Sequence, residues 1–183
     1  MSHDSELDRH AVHQLLVKQR LHDLEMAYCR GIDRRDRELF RSVYFDDAVE
    51  DHGGMFQGPV EEFVDWVFGG FMSRIDSTAH YVLNEAYRID GDKAEGEIHR
   101  ISYHRILEPG VDQRFSAVRS FSRYECRGGI WKIARRTSVR DWIVDTPQTV
   151  DLLGGQVAMS LSAHGNADRS YVELPLFSPG PID

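Results

Sequence analysis

At 183 residues, with 41% hydrophobic and 28% charged side chains, the chain has the size and mix of one soluble globular domain able to bury a core and a ligand cavity. Its 30 acids against 22 bases leave a net charge of −8, which argues against non-specific binding to nucleic acid or to an anionic membrane. Cys29 and Cys126 are too few for a disulfide framework, no apolar run nears the ~20 residues of a membrane span, and the polar N-terminus MSHDSELDRH has no signal-peptide character. A reduced, cytoplasmic protein is expected.

From about Val12 to Ile32 the pattern is helical: Leu21, Leu24, Tyr28 and Ile32 recur at three- and four-residue spacing. Gly31 weakens the last turn. Asp36 is placed to cap a second helix, Arg37 to Tyr44, with Leu39, Phe40 and Val43 on its apolar face. Asp47–Asp51 reads as a short strand and His52-Gly53-Gly54 as a turn. Gly58-Pro59 opens a third helix, where Phe63, Val64, Trp66, Val67 and Phe71 make a broad apolar face. His10 and His13 have ligand-like spacing without further ligands nearby and read as a solvated helix face.

Between Thr78 and Trp142 four strands are predicted. The turns are Asp90-Gly91-Asp92, Glu108-Pro109-Gly110 and Arg127-Gly128-Gly129. In the second strand Glu95 and Glu97 belong in water. Parity then turns Ala94, Gly96 and Ile98 inward, followed by Arg100, Ser102 and His104. A strand whose inner face becomes polar toward one end predicts a lined cavity. Alternation leaves both faces of the last strand open, so either Arg135 or Arg136 could face the cavity. On the outside, Tyr81, Tyr87, His99 and Tyr103 are large for a free surface, which predicts a homodimer or homotrimer through the sheet. The tail after Thr146 holds four of the six prolines and reads as an irregular extension (147–183), with Val150–Leu153 a candidate short helix.

Helices followed by a meander describe an α+β domain, residues 1–146, in which a cone-like curved antiparallel β-sheet wraps three N-terminal helices and leaves a pocket at its open end. The ordered motifs are Ala27-Tyr-Cys-Arg-Gly-Ile-Asp33, Tyr44-Phe-Asp-Asp-Ala-Val49, Gly58-Pro59, Thr78-Ala-His80, Asp90-Gly91-Asp92-Lys93-Ala94 and Gly128-Gly-Ile-Trp-Lys-Ile133. On these the chain resembles the nuclear transport factor 2-like superfamily, in its SnoaL-like branch, over roughly residues 12 to 145. The superfamily spans several reactions as well as non-catalytic domains. Asp33 and His80 look like the pair shared by scytalone dehydratase and hexachlorocyclohexane dehydrochlorinase. With Tyr28 they are similar to the Tyr/Asp/His set of bile-acid dehydratases, and Arg140 matches an arginine of those enzymes. Ser102 stands where the bile-acid enzymes carry an acid, a departure that bears on any bile-acid activity.

The resemblance implies a lyase without metal or organic cofactor that eliminates water, halide or formaldehyde from a bulky aromatic or polycyclic small molecule. A carboxylate beside an imidazole in an apolar cavity is a proton-transfer pair, since one holds the other in the right tautomer. Asp33, His80 and Tyr28 are the expected catalytic residues, and Arg100, Ser102, His104, Arg140 and Trp66 the substrate-binding ones. No metal-ligand cluster, phosphate loop or dinucleotide fingerprint occurs. Neither nucleic acid nor membrane is expected as a partner. The alternatives are the non-catalytic small subunit of a ring-hydroxylating dioxygenase, or a small-molecule-binding module.

Overall fold

The apolar repeat on the first helix is what the core is built on. In the computed structural model, which describes residues 2–147, 162–174, 176, 177, 180 and 181 with side chains from Asp8 onward, helix α1 runs Ser2–Asp33. Val17, Leu21, Leu24, Tyr28 and Ile32 are buried along one stripe, while Val12, Leu15 and Leu16 stay exposed. A short α2 (Arg37–Ser42) follows a tight corner at Arg35, which has positive φ, and Asp36 caps it by accepting from the Leu39 amide at 2.9 Å. Phe40 of α2 lies so close to α1 that a Cβ on Gly31 would come within 2.7–2.8 Å of its backbone and Cβ. Gly31 is thus a contact point between helices.

Strand β1 (Tyr44–Asp51) begins earlier than the pattern suggests and pairs with a three-residue β2 (Gln57–Pro59) that the Gly-Pro signal conceals. Helix α3 (Val60–Asp65) then passes into a π-helical turn, Trp66–Phe71, and a 3-10 turn, Met72–Arg74. The expected third helix is therefore shorter, and Gly69-Gly70 lies in the wide turn that ends it. Strands β3 (Ile75–Asp90), β4 (Lys93–Glu108), β5 (Val111–Arg127) and β6 (Ile130–Thr146) form the predicted meander. The sheet order is β2-β1-β6-β5-β4-β3, with β1 parallel to β6 and every other pair antiparallel. The result is an α+β fold with a curved, unclosed sheet around the helices.

Inward parity on β4 is as expected: Ala94, Ile98, Arg100, Ser102 and His104 are all buried. Bulges change two other strands. On β3 one extra residue between Val82 and Glu85 reverses the faces, so Tyr87 points inward, is buried, and packs on Tyr124 at 6.1 Å. The expectation of an outward Tyr87 is overturned for that reason, whereas Tyr81 remains outside and 57% exposed. On β6 the extra residue is Ala134, between the partners of Arg123 and Tyr124. Trp131 and Ile133 face inward before it, Arg136 after it, and Arg135 faces out.

The described part of the C-terminal extension packs on the corner between α1 and α2. The Gly165 amide donates to the Arg34 carbonyl, Arg34 pairs with Asp168 at 3.3 Å, and Arg30 lies over the Tyr171 ring at 5.0 Å. A one-turn α4 (Ser170–Glu173) belongs to this segment; Val150–Leu153 lies outside the described residues. Among the described residues no helix is long and apolar enough to cross a membrane.

The clash that a methyl group at Gly31 would make is with backbone, which cannot rotate away. Gly31→Ala should therefore destabilise the fold by about 1–3 kcal/mol, read as a lower urea midpoint at unchanged slope.

Candidate active site

His80 is gripped twice by one carboxylate. Asp33 Oδ1 lies 2.6 Å from His80 Nδ1, and Oδ2 accepts from the His80 backbone amide at 2.9 Å. An ionised carboxylate only accepts, so Nδ1 is the donor in this contact, which in a neutral ring places the lone pair on Nε2. The two residues come from the C-terminal end of α1 and from β3, and both side chains are 13% exposed. Asp33 is therefore not in the solvated turn that follows it.

His80 lines a cleft that is partly open to solvent. One wall is aromatic. Phe63 of α3 and Trp66 and Phe71 of the π-helical turn stack in sequence with centroids 6.0 and 5.4 Å apart, and Phe56 packs tilted against Phe63 and Trp66. The sheet wall is polar, carrying Ser102, Ser116, Ser120 and Ser138, with Arg140 also lining the cleft. Ser102 and Ser116 face each other at 2.7 Å, and Ser120 and Ser138 at 2.9 Å. An apolar cleft with a few placed polar groups suits a flat, sparsely oxygenated small molecule.

Of the residues expected from sequence, Tyr28, His80, Arg100, Ser102, His104, Arg140 and Trp66 all line this cleft, and Asp33 stands behind His80. Their roles differ from one another. His104 is held by Thr78 at 2.9 Å and lies edge-on to His80 and Phe71, both at 5.6 Å. Burial, and then the neighbouring His80, push it down to about 3, so it is a neutral hydrogen-bonding group at neutral pH. Burial, reinforced by Glu50, pushes the Tyr28 phenol upward, which makes it a poor proton donor. Arg100 is on the wall, but its guanidinium donates to Glu25 and, at 2.6 Å, to Ser120.

Glu25 is one group that sequence reasoning missed. It is fully buried and accepts from Arg100, from Arg136 and, at 2.5 Å, from Tyr124. Arg136 and Arg100 also cover the Tyr28 ring, at 4.4 and 5.2 Å. A glutamate within an otherwise apolar helical stripe was the available signal. The second missed feature is Glu50 with His52. Their ring and carboxylate lie 3.1 Å apart, and His52 lines the cleft. Alternation along Ala48, Glu50 and His52 could have revealed it. Among the described residues no group of three or more His, Cys, Asp or Glu gathers as a metal site.

The SnoaL-like domain family matches residues 7–137. Solved structures of similar fold include a type 2 hexachlorocyclohexane dehydrochlorinase, at TM-score 0.73 and 19% identity over 80% of this chain and 99% of that one. A type 3 dehydrochlorinase from Novosphingobium barchaimii has TM-score 0.70 and 22% identity over 74% and 94%. A scytalone dehydratase-like protein from Novosphingobium aromaticivorans has TM-score 0.64 and 13% identity over 84% and 95%. At these identities the likeness is one of fold. No curated protein matches the sequence.

Burial alone would raise the Glu25 carboxyl; Arg136 and Arg100 outweigh it and hold the group below the ordinary value of 4.5. A depressed folded value contributes stability that is complete above the unfolded value and is lost as pH falls through the folded one. Glu25→Gln should accordingly cost about 3–5 kcal/mol near neutral pH, because two buried guanidinium groups lose their anion. Urea unfolding checks the loss, which should shrink when wild type and variant are compared in acid.

Proposed function

Since the chain belongs to the SnoaL-like family, we propose that it is a lyase working without metal or organic cofactor. It eliminates a leaving group from a bulky aromatic or polycyclic small molecule, with Asp33–His80 as general base. The observation that carries this reading is the double contact of Asp33 with His80 beside an apolar cleft. His80 Nε2 takes a proton from carbon, and Asp33 stabilises the imidazolium that results. Trp66 and Phe71 hold the apolar body of the substrate. Ser102 and neutral His104 orient its oxygens, and Arg140 stabilises developing negative charge. Tyr28 forms the floor between the two arginines and the cleft.

An intact Asp–His contact weighs for this reading over a dioxygenase small subunit or a binding module, neither of which needs a base. The base is read most simply with nitrobenzisoxazole, a carbon acid whose ring opens once its proton is removed and whose leaving phenolate needs no proton. His80→Ala and Asp33→Asn should each lower its turnover by about 10²–10⁴-fold, with the double variant little worse than either single one. Near wild-type rates in folded single variants would sink the assignment.

A further inference from the structure

A base alone suffices when the leaving group departs as a stable anion. An alcohol oxygen does not; it needs a proton as its bond to carbon breaks. The cleft contains a group suited to that task. His52 follows Glu50 by two positions, one residue past the end of β1, and its Nε2 lies 3.1 Å from Glu50 Oε2. Glu50 is fully buried and also accepts from the Tyr44 hydroxyl. Phe63 stacks on the His52 ring at 5.0 Å and 23°, fixing its plane. This repeats the pairing of Asp33 with His80, a cleft histidine backed by a sequestered carboxylate, here through Nε2 rather than Nδ1. The two histidines line one cleft from distant parts of the sheet, with β6, β5 and β4 between β1 and β3.

The other titratable groups of the cleft do not fit the role. Arg100 and Arg140 do not release protons. His104 is neutral down to about 3, and the Tyr28 phenol is raised by its burial. Imidazole is the side chain that exchanges protons near neutral pH, and His52 is the histidine left once His80 serves as base.

Building on the base reading above, we propose that Glu50–His52 is the general acid of this site and that the eliminated group is an oxygen, the substrate being a β-hydroxycarbonyl compound. His80 Nε2 accepts the proton next to the carbonyl, and that C–H pair becomes the new C=C bond. The C–O pair leaves with the oxygen, which takes the proton from His52 Nδ1 and departs as water. Solvent then carries one proton from His80 back to His52, so both histidines are restored. Glu50 is a positioning residue that holds the His52 ring and balances its imidazolium. The charged and titratable groups that share the cleft with His52 are Arg140 of β6, His80 of β3, Arg100 and His104 of β4 and Tyr28 of α1.

Two probes separate acid from base: nitrobenzisoxazole, which needs only the base, and an aryl β-hydroxyketone, whose dehydration needs both. His52→Gln should lower dehydration by about 10²–10⁴-fold, at least about tenfold more than it lowers benzisoxazole opening. The benzisoxazole rate also reports that the variant's site is intact. Wild-type dehydration should fall at both low and high pH, and His52→Gln should lose the high-pH fall, which reflects the acid's proton. Equal losses on both probes, a surviving high-pH fall, or a wild type that opens benzisoxazole without accelerating dehydration would each overturn the acid. A wild type inert toward nitrobenzisoxazole would sink the base reading, and this inference with it.

Discussion

Glu25 is the joint on which the geometry of the protein turns. It is an anion on the buried stripe of α1, gripped by Arg100 from β4, Arg136 from β6 and Tyr124 from β5. Three strands are thereby tied to one point on the helix. Apolar packing tolerates sliding by a fraction of a turn, but a carboxylate with charged donors at fixed positions does not. Arg100 Nε and Arg136 Nη1 lack hydrogen-bond partners among the described residues, and the face of Tyr28 covers both guanidinium groups in place of water. The arrangement is costly to desolvate, so its role is better understood as fixing register than as adding stability.

About two helical turns beyond that joint α1 ends at Asp33, where the backbone carbonyls make a carboxylate unwelcome. The His80 amide and imidazole compensate by donating to both of its oxygens. The corner at Arg35, the cap at Asp36 and the C-terminal segment docked on Arg30 and Arg34 all hold the same helix end. The position of the Asp33–His80 pair thus depends on contacts from both sides of it.

The cleft divides its labour between secondary structures. The sheet contributes polar groups at two-residue spacing, and α3 with its π-helical turn contributes stacked rings. A regular helix through Trp66–Phe71 would turn by 100° per residue and carry Phe71 to another bearing; the wider turn brings it back over Trp66, 5.4 Å away. The serines of the polar wall pair with one another across strands, and the histidines and Arg140 line the cleft beside them.

Much of this was legible in the chain itself. Three- and four-residue spacing from Leu21 to Ile32, the Asp36 cap and three glycine turns determine the helices and the meander, because those signals act between near neighbours. Inward parity from Ala94 to His104 holds because β4 pairs with β5 without a shift along that stretch, and the extra residue opposite it belongs to β3. The family motifs brought Asp33 and His80 together before their distance was known. What tertiary structure decided were the features governed by distant partners. A single extra residue in β3 turned Tyr87 into the core, and another at Ala134 put Arg136 rather than Arg135 inside. A bulge has no local signature, since its cause is the fit of two strands and the core beneath them. The parallel pairing of β1 with β6, which brings Glu50 and His52 to the cleft, and the capture of Glu25 by two arginines likewise depend on long-range closure. Residue types and local periodicity carried the elements, and the meeting of their faces determined which charges were paired and which were left to act.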